Sequence, residues 1–159
     1  MKKYIYHFIV GLCINFGALA LGSLWTDAGV SSEWYAQLDK APWTPPGWVF
    51  GAARTTIGIT FSMWYAWMRG NIEKWDNDLT ALFPFSVVLN VIWNPLFFAL
   101  HQLFLAWIII TLLGVIVYYI VDITRREYGW KPALLVLPYF FWLCIANSLN
   151  LYAAIMHIS

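Results

Sequence analysis

Charge is scarce in this chain of 159 residues: Lys, Arg, Asp and Glu together supply 11% of it, against 62% hydrophobic residues and a mean hydropathy of +0.67. Soluble domains run to about 25% charged and about 45–50% apolar residues, so a water-soluble fold is excluded. The net charge of +1 and the lack of any basic patch exclude a nucleic-acid partner. Cysteine is nearly absent. Cys13 and Cys144 form no CxxC and no disulfide framework, and both fall in apolar runs, where they read as small buried hydrophobes. His7, His101 and His157 are scattered, without metal-ligand spacing. They read as interfacial polar side chains, the alternative being one axial ligand to a bound haem, and no resident metal or obligatory cofactor is expected. Phosphate-binding glycine loops, Ser/His/Asp arrangements and paired carboxylates are also lacking.

What the chain has is length in its apolar runs. Five approach the roughly 20 residues that a bilayer requires: about 4–24, 47–68, 79–100, 103–123 and 132–158. Backbone amides in hydrocarbon must bond within their own segment, and the strict alternation of barrel strands is missing. The expected fold is an all-α membrane protein, a bundle of five transmembrane helices forming one domain over 1–159, with an extramembrane loop at about 25–46. A signal peptide cleaved near Ala18-Leu19-Ala20 is the rival reading of the first run, which however continues apolar to Leu24.

With the N-terminus inside, Lys2, Lys3, Arg69, Lys74, Arg125, Arg126 and Lys131 fall on the inner side and, among loop residues, only Lys40 falls outside. The positive-inside rule favours that orientation, which places the first loop, the turn at His101-Gln102 and the C-terminus outside. A cytoplasmic membrane is the expected location.

Polar side chains inside the runs are the candidates for function. Asn90, Trp93, Asn94 and Phe97 share one helical stripe. Tyr139, Trp142, Ala146, Leu149 and Asn150 make another, beside Asn147. Amides in hydrocarbon must be bonded, so both stripes should face the bundle interior, as interhelical glue or as ligand contacts. Pro95 crowds the carbonyl of Val91 and Pro138 that of Leu134, so kinks are expected beside both stripes. Thr44-Pro45 reads as an N-cap and first helical position for the second span. Arg54 lies roughly 10 Å along the helix from Gly47, and it either attracts an anionic group of an apolar ligand or snorkels toward Asp39 or Glu33. Ala18 with Gly22, and Gly47 with Gly51, are small-xxx-small pairs that permit either a homodimer contact or packing within the monomer.

The stretch WYAQLDKAPWTPPGW, residues 34–48, combines stiff prolines with flat aromatic surface, as a belt anchoring helix ends or as a lid over a pocket. Three motifs then resemble one family in order along the chain. WYAQLDKAPWTPP is similar to WYxxLxKPxWxPP, LNVIWNPLFF to a third-helix motif, and PYFFWLCIANSLN to PYxxWxxxAxxLN. Together they resemble the TspO/MBR family, the translocator or tryptophan-rich sensory proteins, in its bacterial type. The resemblance implies a five-helix bundle, often dimeric, whose first loop closes a pocket for tetrapyrroles such as protoporphyrin IX or haem, in a sensing or tetrapyrrole-handling role. Carried over by motif position, Trp34, Trp43, Asn90, Trp93, Tyr139, Trp142, Ala146, Leu149 and Asn150 would line or shape that pocket, and the stripe reading adds Asn94 and Arg54. Some relatives degrade porphyrin in light; Trp142 matches a tryptophan implicated there, whereas Arg54 stands where the second helix usually has another. Transport of porphyrin or other apolar ligands is a further alternative, although no inverted repeat or coupling-ion site is visible. A steroid-recognition segment is not matched after Tyr152, and the formal match at Val115, Tyr119 and Arg125 is weak.

Overall fold

The computed structural model describes residues 2–73 and 75–158; Lys74, counted above with the inner basic residues, lies outside them. Among the described residues there are seven helices and no strand. Five are long: α1 (Lys2–Val30), α3 (Gly47–Asn71), α4 (Asn77–Phe98), α5 (Leu103–Tyr128) and α7 (Leu137–Ile158). Two are short additions to the expected pattern, α2 (Glu33–Gln37) and α6 (Trp130–Ala133). Four of the long helices, α1, α4, α5 and α7, are long and apolar enough to cross a membrane. The exception, α3, is long enough, but Arg54, Arg69 and its Thr, Ser and Gly residues dilute its hydropathy.

The helices close into a ring. Each of α1 and α5 packs against two neighbours, α1 against α3 and α4, α5 against α4 and α7, and the ring closes at a sparser α3–α7 seam. Gly11, Ala18, Gly22 and Gly29 form the buried stripe of α1. A Cβ at Gly22 would meet the Asn94 amide and one at Gly29 would overlap the Phe98 ring, so these residues let α4 approach closely. The Ala18/Gly22 pair therefore packs within the chain, whereas Gly47 and Gly51 face open space.

Several local expectations change. α1 runs past Leu24 to Val30, so the loop is 31–46 and contains α2, capped by Ser32 Oγ accepting from Tyr35 N at 3.2 Å. Thr44 does not cap α3: its hydroxyl and its amide both bond the Ala41 carbonyl (2.7 and 2.9 Å), closing a turn, and α3 starts after Pro46. The fifth span is broken, with α6 and α7 separated by turns at 134–136. Pro138 accordingly stands in the first turn of α7, where its missing N–H costs nothing, rather than kinking a helix interior. Pro84 and Pro95 are inside α4. Pro95 frees the Val91 carbonyl, which receives the Asn94 amide nitrogen at 3.3 Å. Cys13 and Cys144 are exposed on the apolar outside of the bundle, not buried.

The two ends of the ring differ in packing. Near the α3–α4 connection Phe61, Trp64, Tyr65, Trp75 and Phe83 stack into a solid aromatic core, and Trp64 Nε1 donates to Thr124 Oγ1 at 3.2 Å. At the opposite end, under the loop, the ring is left hollow.

Candidate functional site

The hollow is a cavity of about 590 Å³. Pockets for drug-sized molecules occupy about 300–1,000 Å³, so it suits a sizeable organic ligand. Arg54, Asn90, Trp93, Asn94, Tyr139, Trp142, Ala146, Leu149 and Asn150 all line it. Both stripes thus face one space. Trp34 and Trp43 do not line it. Trp34 stacks on His101 (ring centroids 3.8 Å apart) and packs edge-on to Phe97, in the wall of a smaller hollow with Asp39 and His157. Trp43 packs on α7, its Nε1 donating to Ser148 Oγ at 3.1 Å and its ring against Tyr152.

Other loop residues take the place over the cavity. Tyr35, Leu38, Lys40, Ala41, Thr44 and Pro45 line it from above. Lys40 Nζ donates to the Tyr35 carbonyl at 2.5 Å and lies over the Tyr35 ring at 4.3 Å. Burial pushes the Tyr35 phenol above its ordinary pKa, so it stays neutral. The loop's contribution was visible in its composition, but which rings point inward depends on the turn of α2, a tertiary feature. Asp27 was missed for the same reason: it reaches the cavity only because α1 extends past Leu24.

The amides divide into two kinds. Asn94 is fully engaged: Oδ1 accepts from Thr26 (2.8 Å) and Arg54 Nη2 (3.5 Å), while Nδ2 donates to the Asn90 and Val91 carbonyls (2.8 and 3.3 Å). Asn150 accepts from Trp93 Nε1 at 2.9 Å and donates to the Ala146 carbonyl at 2.8 Å, tying α4 to α7. Asn147 faces away from the cavity, accepting from Trp107 Nε1 at 3.1 Å and donating to Thr111 Oγ1 at 2.6 Å on α5. These three are interhelical ties. Asn90 differs, being half-buried in the cavity wall with no side-chain hydrogen bond among the described residues.

Arg54 does not snorkel to Asp39 or Glu33; among the described residues the ion pairs join only Asp122 to Arg125 and Arg126. Trp142, on α7, packs edge-on to Phe50, one turn before Arg54 on α3, at 5.3 Å. The walls are therefore mostly apolar and, among the described residues, hold one amide without a side-chain hydrogen bond, Asn90, and one guanidinium without an ion pair, Arg54. No group of three metal-ligating side chains occurs among the described residues.

Comparison with known proteins adds the family to this geometry. The TspO/MBR family profile matches residues 9–156. The chain belongs to the TspO/MBR family. It is 34% identical over 152 residues to the tryptophan-rich protein TspO of Archaeoglobus fulgidus, covering 93% of this chain and 92% of that one. It is 31% identical over 121 residues to protein CrtK of Rhodobacter capsulatus, covering 74% of each. A sheep (Ovis aries) translocator protein is 30% identical over 125 residues, covering 77% of this chain and 73% of that one. Family membership and four apolar helices fit a multi-pass integral membrane protein.

Proposed function

We propose that this protein binds a tetrapyrrole, protoporphyrin IX or haem, in the cavity beneath the 31–46 loop, and serves in sensing or handling it. The observation that carries the reading is the cavity itself: about 590 Å³, walled by Trp93, Trp142 and Tyr139, with the Asn90 amide and Arg54 left for a ligand. A porphyrin is a broad apolar disc with anionic propionates, and flat rings offer it stacking surface with little entropy cost. The loop acts as lid. In this reading α3 is the fifth span, with Arg54 facing the cavity instead of lipid, and the N-terminus lies inside a bacterial cytoplasmic membrane with the loop outside.

Titrating protoporphyrin IX into detergent-solubilised protein in the dark, followed by tryptophan quenching and the Soret band, tests it. Saturable micromolar binding is expected, weakened about three- to tenfold by Trp142→Phe or Asn90→Ala. Binding that is absent, or indifferent to both changes, refutes the site.

The Trp142 ring in the cavity wall favours a second reading, light-driven degradation of the bound porphyrin. Illumination should then replace the Soret band by bilin-like absorption, and Trp142→Phe should slow that change.

A further inference from the structure

We infer that the cavity selects a ligand whose apolar body carries a carboxylate, and that Arg54 is the residue that recognises it. The inference rests on the reading of the cavity as a ligand site and adds the chemical class of its occupant.

The first support is position. Gly47, Phe50, Gly51, Arg54, Ile57 and Gly58 all line the cavity, the spacing of one α3 face. Arg54 is central in that stripe, and Gly47 and Gly51, in the two turns before it, face open space. The helix therefore directs Arg54 toward the cavity.

The second support is an unmet need. Arginine carries five donors in a planar fork and stays charged, so in an apolar wall it requires a matching acceptor. Among the described residues it forms no ion pair, Asp27 acting on it only from beyond ion-pair distance, and its one hydrogen bond there is the 3.5 Å contact to Asn94 Oδ1, long for a charge-assisted bond. Asn94 is a positioning residue: Thr26 and the Asn90 and Val91 carbonyls hold its amide, so its oxygen orients the fork without neutralising it.

The third support is charge. Arg54 and Lys40 line the cavity against the single carboxylate of Asp27, which is exposed, so the walls carry excess positive charge. A carboxylate matches the guanidinium bidentately, and in a dry wall such a pair favours an acid over its ester or alcohol.

The test uses two ligand pairs on the detergent-solubilised protein in the dark. One pair is protoporphyrin IX and its dimethyl ester; the other is 1-pyrenebutyrate and 1-pyrenebutanol, read by energy transfer from tryptophan. We expect each acid to bind about tenfold or more tightly than its neutral partner. Arg54→Gln should abolish the preference, Arg54→Lys should keep part of it, and Arg69→Gln, at the far end of α3, should leave it intact. Preference within the pyrene pair with no porphyrin binding would sink the tetrapyrrole reading and keep this one. Porphyrin binding with acid and ester equal, or a preference that survives Arg54→Gln, overturns the inference while leaving the tetrapyrrole reading. Failure of all four ligands to bind overturns both.

Discussion

At the scale of single residues, glycine decides how closely α1 and α4 approach. Gly29 meets the Phe98 ring, whose Cβ and ring atoms cannot both retreat, whereas a Cβ at Gly17 meets nothing. Gly29→Ala should cost about 1–3 kcal/mol through overpacking, and Gly17→Ala should be neutral or slightly stabilising in thermal melts of the detergent complex. Equal melting temperatures for the two variants would contradict the packing described. Spacing alone made the Asn90 to Phe97 stripe legible, because four and seven residues return a helix to the same face. It could not separate Asn90 from Asn94. That difference depends on Thr26 and Arg54 approaching from two other helices, which no local pattern encodes.

Among elements, the long helices were legible from apolar run length, and their ends were not. The α1 extension to Val30 carries polar Thr26 and Asp27, which hydropathy reads as loop; Thr26 is retained in the helix by bonding to the Gly22 carbonyl and to Asn94. The break before α7 was obscured by the unbroken apolar run from 132, since hydropathy carries no information on where a helix turns. Asn147 links α7 to α5 through Trp107 and Thr111, well away from the cavity. Asn147→Leu should lower stability by about 1 kcal/mol, the scale of interhelical hydrogen bonds in membranes, while leaving ligand affinity unchanged. Lost affinity with stability intact would place Asn147 in the binding site instead.

For the whole molecule, the asymmetry of the ring matters most. One end is filled by stacked aromatics, the other is hollow, and the sparser α3–α7 seam runs beside the hollow. The Phe50–Trp142 ring contact bridges that seam, and the Trp43–Ser148 hydrogen bond ties the loop to α7. Trp43→Phe removes the hydrogen bond and keeps the bulk, so porphyrin dissociation measured by stopped flow should accelerate about threefold to tenfold, with association little changed. An unchanged off-rate would show that the tie between the loop and α7 does not hold the exit closed. From the residues alone the hollow was legible only as one of two alternatives, stripes as glue or as ligand contacts, because a cavity is defined by what five helices jointly fail to fill.

The most direct measurement fills that space. Ala146 is buried in the α7 wall of the cavity, so Ala146→Trp would place an indole where a ligand would lie. Dark titration of protoporphyrin IX should show affinity reduced at least about tenfold in a variant whose helicity and melting temperature match the parent. Undiminished binding by a folded Ala146→Trp protein would mean that the tetrapyrrole is held elsewhere and that the cavity serves another purpose.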